Sequence, residues 1–317
     1  MTATGAAIVA DNLRKTFGEV VAVDHISLEV PRGSVLGMLG VNGAGKTTMV
    51  RMLATVLKPD SGRAMVHGFD VVEHPQAVRR SIGLAGQSAA VDENLTGREN
   101  LVLVGRLTHL SKSTARQRAD ALLDQFGLAD AGNRPVRTYS GGMRRRLDLG
   151  AALVAHPPVL FLDEPTTGLD PASRLDLWGV IETLVADGTT VLLTTQYLEE
   201  ADRLADNIVV VDKGLIAAEG SAKQLKDRLG DTVIEFEFAT SSVASSAAVA
   251  LGSSVAAATI VRVVMSNGSV TLRDALNLLA AAEIVPSHVA LREPTLDDVF
   301  LTLTHSSPIG GAAGATA

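Results

Sequence analysis

Residues Gly40–Thr48 read GVNGAGKTT, a G-x-x-x-x-G-K-T spacing. Glycines at 40, 43 and 45 let the backbone turn tightly with no side chain in the way. Successive N–H groups can then face one concavity at the start of a helix, where an anion is favoured. Lys46 brings a positive charge within reach of β- and γ-phosphates, and Thr47 brings a hydroxyl for Mg²⁺. A second group lies far along the chain. Asp163 and Glu164 close the apolar run PVLFLDEP (158–165). Ligands lie beyond the carboxyl ends of parallel strands. There Asp163 would meet the Mg²⁺ at Thr47 through water, and Glu164 would orient and deprotonate an attacking water. A third signal is YSGGM (139–143), where Ser140, Gly141 and Gly142 offer a hydroxyl and free backbone N–H groups at a helix start. Gln196 ends a further apolar run, TTVLLTTQ (189–196). Its amide can donate a hydrogen bond but cannot carry a proton near neutral pH.

These groups need strands that end at one edge and helices that begin there. GSVLGMLG (33–40) has strand length and TTMVRMLATVL (47–57) has helical spacing, stopping before Pro59. Ahead of them, residues 6–17 and 20–31 read as strands separated by Gly18–Glu19, and RAMVHGFDV resumes strand character. VRRSIGLAGQ (78–87) reads as a strand ending in Gln87. From there to about residue 157 the pattern is helical. Thr96 and Glu99 form a capping box, Ser113 or Thr114 starts a second helix closed by Gly127, and Ser140 starts a third. Leu95, Leu101, Leu103, Leu107 and Leu110 form an apolar stripe expected to be mostly core, and Arg144–Arg146 read as a solvated face. Asp170 and Pro171 open a helix that Gly188 closes, and a hairpin turns at Lys213–Gly214.

Composition narrows the classes. The chain has 317 residues, 46% of them apolar, a formal net charge of −7 and no Cys. That length predicts one large domain and a smaller one. The acidic balance speaks against nucleic acid, and the missing Cys excludes disulfides and thiolate metal sites. His67, His74, His109, His156 and His288 show no ligand spacing, so no structural metal is expected. No run reaches the ~20 apolar residues that span a bilayer, and the first residues lack a signal peptide's basic flank and apolar core, so the chain is expected to be soluble by itself. Past Gly230–Asp231 the strand–helix alternation fits a small α+β module, followed by a polar, small-residue tail.

Taken in order, the phosphate loop, Gln87, YSGGM, LFLDEP and GLD resemble the ATP-binding cassette (ABC) transporter ATPases over residues 7–228. LLTTQYLEEAD and the terminal LREPTLDDVFLTLT are similar to a narrower group, the daunorubicin-resistance-type exporters of drugs, antibiotics and complex lipids. The resemblance implies an α/β fold with a RecA-like core, an antiparallel β subdomain and a helical subdomain at about 88–157. These would occupy residues 1–230, with an α+β domain at 231–305 and a disordered tail at 306–317. It implies an ATPase that binds Mg-ATP through Phe17, Gly40, Asn42, Gly43, Ala44, Gly45, Lys46, Thr47, Thr48 and Gln87, with Phe17 stacking on adenine. Thr47, Gln87 and Asp163 would serve Mg²⁺, while Glu164, Lys46 and Gln196 would be catalytic. Ser140, Gly141, Gly142, Met143 and Asp170 would act in trans on nucleotide held by a second copy. A separate multi-span permease would hold the protein at the cytoplasmic face of the membrane. Two departures stand out: Met143 replaces the usual Gln, and Gln196 the usual His, although the narrower group often has Gln there.

Two other functions fit the same loop. One is a non-transport relative acting on ribosomes or DNA; such proteins carry tandem cassettes, long coiled coils or zinc cysteines, which this chain lacks. The other is a module that holds ATP without hydrolysing it, against which Lys46, Asp163 and Glu164 all speak.

Overall fold

The computed structural model describes residues 5–86, 91–227, 233–253, 255–264, 271–292 and 295–305. The chain divides into two compact units, residues 1–222 and 223–317.

In the first unit, β1 (Ala6–Phe17) and β2 (Val20–Pro31) form a long antiparallel hairpin through Gly18, whose φ of 58° is open to glycine without strain. β3 (Val35–Leu39) leaves this layer and enters a second sheet. β4 (Ser61–Val66) pairs with β1, and β5 (Phe69–Asp70) pairs with β4, giving the order β2-β1-β4-β5. The single strand expected over 63–71 is thus broken by a turn at His67–Gly68, both at positive φ.

The second sheet has the order β10-β9-β3-β8-β7-β6, with β6 at Ile82–Ala85, β7 at Val159–Asp163, β8 at Thr190–Thr195, β9 at Asn207–Asp212 and β10 at Leu215–Gly220. All pairings are parallel except the β9–β10 hairpin. Every residue of β3, β7 and β8 is buried, as parallel strands covered on both faces require. Each fully buried Leu or Phe, such as Leu160 and Phe161, contributes about 1.5–3 kcal/mol.

The helices of this unit are α1 (Lys46–Leu53), α2 (Pro75–Ser81), α3 (Gly97–Leu107), α4 (Lys112–Gln125), α5 (Gly141–Leu153), α6 (Pro171–Ala186) and α7 (Leu198–Leu204), and α8 (Ala222–Asp227) starts at its last residue and belongs otherwise to the second unit. α1 stops short of Leu57, and Thr55 beyond it takes φ 63°. The strand expected over 78–87 begins only at Ile82. Pro75 at the first turn fixes φ for α2, which buries Val78 and Ser81. The box of Thr96 and Glu99 is formed on α3, but α4 is capped by Ser111 rather than Ser113 or Thr114. Of the leucine stripe only Leu101 is in the core; Leu103 and Leu107 are exposed, because α3 turns that face outward.

The second unit holds β11 (Val233–Glu237), α9 (Ser241–Ala250), β12 (Val255–Ala257), β13 (Ile260–Val264), α10 (Leu272–Ala281), β14 (His288–Arg292) and α11 (Leu296–His305). Its antiparallel sheet runs β12-β13-β11-β14. Ile234, Phe236, Val261 and Val263 pack there against Ala244, Ala247, Ala275 and Leu279.

Candidate nucleotide site

Strand register places the site. Leu39 lies beside Thr195 and Asp163 beside Thr194, so the loop after β3, the turn after β7 and Gln196 after β8 all leave one edge of the parallel sheet. They line a cavity of about 750 Å³, with Asn42, Gly43, Gly45, Lys46, Thr47, Thr48, Glu164 and Gln196 in its wall.

The loop is glycine-dependent at two points. A Cβ on Gly40 would lie 2.4 Å from the Val211 carbonyl, and one on Gly45 would lie 2.3 Å from the Ala22 carbonyl. Gly45 also takes φ 111° as the N-cap of α1, so the first amides of that helix open onto the cavity. The Lys213–Gly214 turn braces the loop from behind: the Gly214 amide donates to the Ala44 carbonyl at 3.0 Å, and the Gly214 carbonyl accepts from Asp24 at 2.8 Å. Both turn residues have positive φ, as a tight hairpin demands.

Lys46 is buried at 4% exposure, and its ammonium donates to the Gly40 carbonyl at 2.7 Å and the Val41 carbonyl at 3.1 Å. It also lies 3.4 Å from Glu164 Oε1. The Asp163 carboxylate accepts at one oxygen from the Thr47 hydroxyl (3.1 Å) and the Thr194 hydroxyl (2.6 Å). One hydroxyl beside one carboxylate suits a hard cation that keeps waters and borrows phosphate oxygens, which is how Mg²⁺ prefers to bind. Glu164 is 6% exposed and takes φ 52°, a left-handed conformation costing an L-residue about 1–2 kcal/mol. Its amide donates to the Thr194 carbonyl at 3.0 Å.

YSGGM is built as a helix start. Ser140 caps α5 by accepting from the Met143 amide at 3.2 Å, and Tyr139 is buried with its hydroxyl on the Ala131 carbonyl at 2.7 Å. A Cβ on Gly142 would press on Ser173 Oγ at 2.7 Å. Gly141 lines the cavity of its own chain, while Ser140, Gly142, Met143 and Asp170 do not. Asp170 caps α6, and the Ser173 amide, with its hydroxyl, holds the Asp170 carboxyl below the usual carboxylate range. Phe17 is half exposed at the end of β1, apart from the cavity lining. Gly40, Ala44 and Asp163 lie behind the lining, and Gln87 falls outside the described residues. The cap of α7 is Tyr197, without a side-chain bond, so Gln196 is not a helix cap.

Two groups were not singled out as site residues by their sequence. Thr194 is a polar residue in a buried strand, and that contrast was its only signal. Arg145 belongs to the run read as solvated, and the structure corrects this. Its side chain is 13% exposed and binds the carbonyls of Gly86, Pro165 (2.5 Å), Glu164 (2.9 Å) and Asp163 (3.3 Å), with Asp148 at 3.6 Å. Arg144 does reach an acid, Glu93, at 2.9 Å.

Residues 23–167 match the family model described as ABC transporter. A daunorubicin resistance ATP-binding protein of Streptomyces coeruleorubidus is 52% identical over 309 residues, covering 94% of this chain and 96% of the relative. The chain belongs to the ATP-binding subunits of ABC transporters, in the daunorubicin-resistance group. A doxorubicin resistance ATP-binding protein of Mycobacterium tuberculosis is 49% identical, covering 94% of this chain and 93% of that one. Among solved structures, a subunit of a Clostridium perfringens ABC transporter complex superposes with a TM-score of 0.65 at 25% identity, over 70% of this chain and 90% of its own. As an ABC transporter ATP-binding subunit the chain is an ATPase, converting ATP and water to ADP and phosphate. No helix among the described residues is long and apolar enough to cross a membrane.

Proposed function

We propose that two copies of this chain close around two ATP molecules and drive export of a hydrophobic drug, antibiotic or lipid through a separate multi-span permease. The protein would sit peripherally at the cytoplasmic face of the membrane, held by that permease. The carrying observation is the shared sheet edge, where Lys46, Glu164 and Gln196 line one cavity and Asp163 stands behind them on Thr47. Phosphates would displace Lys46 from the Gly40 and Val41 carbonyls and receive the first amides of α1. Thr47 and Asp163, with Gln87, would hold Mg²⁺, which when bound neutralises charge on the β- and γ-phosphates. Glu164 would take the proton of the attacking water, and Gln196 would donate to the γ-phosphate. Phe17, half exposed at its strand end with the Lys15 ammonium 5.8 Å from its ring, would stack on adenine. Ser140 and the first amides of α5 would cap the γ-phosphate of the partner's ATP, with Asp170 beside them. Residues 231–305 are assigned to assembly or regulation, since they hold none of these motifs.

The trans arrangement is tested by comparing Lys46→Ala with Ser140→Arg. Lys46→Ala should weaken ATP binding itself. Ser140→Arg should bind ATP within about threefold of native yet fail to dimerise with Mg-ATP, and should not turn over. Equal loss of ATP binding in both variants would overturn the arrangement.

A further inference from the structure

We propose that Arg145 is a positioning residue for hydrolysis: its guanidinium fixes the left-handed turn that aims Glu164 and couples that aim to helix α5. This rests on the reading of Glu164 as the base.

The geometry carries it. Three consecutive arginines stand on α5, and they behave differently. Arg144 pairs with Glu93 and reaches the Arg137 carbonyl, and Arg146 donates to the Phe126 carbonyl. Arg145 alone among the three crosses to the sheet edge, where it donates to four carbonyls. Three of them belong to Asp163, at the end of β7, and to Glu164 and Pro165 in the turn that follows. The fourth belongs to Gly86, the residue before Gln87. Gly86, Glu164 and Pro165 lie just past the carboxyl ends of β6 and β7, and Asp163 is the last residue of β7, beside Thr194. A planar fork with five N–H donors can serve them together; a Lys ammonium has three donors around one point.

Glu164 is the non-glycine residue in this turn with positive φ, and a short backbone error there would swing its carboxylate away from a bound phosphate. Its amide is held by Thr194, and its carbonyl accepts from Arg145 at 2.9 Å and from the Thr167 amide at 3.3 Å, so the residue is held on both sides. Arg145 stands one helical turn from Gly141, at the exposed start of the same helix. A partner docking on that helix end therefore acts on the Glu164 turn through one rigid element. Asp148, one turn further along α5, steadies the guanidinium, and burial lowers its pKa against the opposing pull of Asp148, Asp163 and Glu200.

Arg145→Met and Arg145→Lys are made in the full-length protein, each alone and combined with Glu164→Gln. ATP affinity, turnover and Mg-ATP-induced dimers are measured. Arg145→Met should bind ATP within about threefold of native and lose about 10- to 100-fold in turnover, the scale of a reacting group misplaced by an ångström. Arg145→Lys should lose less. In the Glu164→Gln background neither change should lower the residual single-turnover rate further, because both act on one carboxylate, and the ATP-bound dimer should still form. Native turnover in Arg145→Met overturns the proposal. So does an equal loss in both backgrounds, or loss of the dimer, since either marks a general structural role. If Arg145→Met does not fold, Arg145→Lys decides by the same comparison. Native-rate hydrolysis by Glu164→Gln alone would overturn the reading of the base without any change at Arg145, so the two failures are separable.

Discussion

The two units of the chain are built on different kinds of core. Every buried polar or charged side chain among the described residues lies within residues 1–222, including Lys46, Asp148, Asp163, Glu164, Thr194 and Glu200. Several cluster at the sheet edge. Glu200 illustrates the cost: burial pushes its carboxyl up despite the Trp178 indole donating to it at 3.0 Å. The core of residues 223–317 is apolar throughout, with Phe236, Phe238 and Val261 as its centre. A buried ion costs several kcal/mol unless it is paired, so a core that retains many is organised around what those ions do. A core without them is organised around packing.

That contrast can be tested from both sides. The largest effect is expected at Glu164. Glu164→Gln keeps the shape and removes the base, so turnover should fall by about 10²–10⁴-fold while ATP binding and an ATP-trapped dimer persist. Phosphate release and size-exclusion chromatography measure this, and near-native hydrolysis would end the assignment. Gln196 should matter less. Gln196→Ala should slow turnover by roughly 10-fold, the scale of one charge-assisted hydrogen bond. Gln196→His restores a donor but adds a group titrating near about pH 6.5, so its rate profile should gain an inflection there that the native protein lacks. A native rate in Gln196→Ala would remove the contact from the mechanism. The smallest effect on chemistry is expected from the other core. Phe236→Ala should destabilise its own unit by about 3–5 kcal/mol, seen in thermal melts, while ATP affinity changes by less than about twofold. Loss of nucleotide binding in a protein still folded over residues 1–222 would erase the division of labour.

Signals carried by one residue or by a pair within one helical turn were legible in the sequence. The box of Thr96 and Glu99, the Ser140 cap, Asp170 with Pro171, and the turn at Lys213–Gly214 all sit where their local chemistry requires. So did the loop, the paired acids and Gln196, because each sits at the end of an apolar strand. What failed depended on distant partners. Arg145 meets backbone carbonyls 18 to 59 residues away, and a carbonyl leaves no mark on residue type. Leu103 and Leu107 have helical spacing, but only packing decides which face of α3 is covered. The short α2 was hidden inside β-branched and basic residues that also suit a strand, and Pro75 was the overlooked boundary.

The brace behind the phosphate loop has a consequence for how the protein meets its ligand. Gly214 is bonded on one side to Ala44 and on the other to Asp24, and none of these contacts involves a ligand. The glycine-rich segment, which as a free chain would sample many conformations, is therefore already confined by the fold. Its conformational entropy is lost once, when the polypeptide folds, and does not have to be lost again at every encounter with ATP.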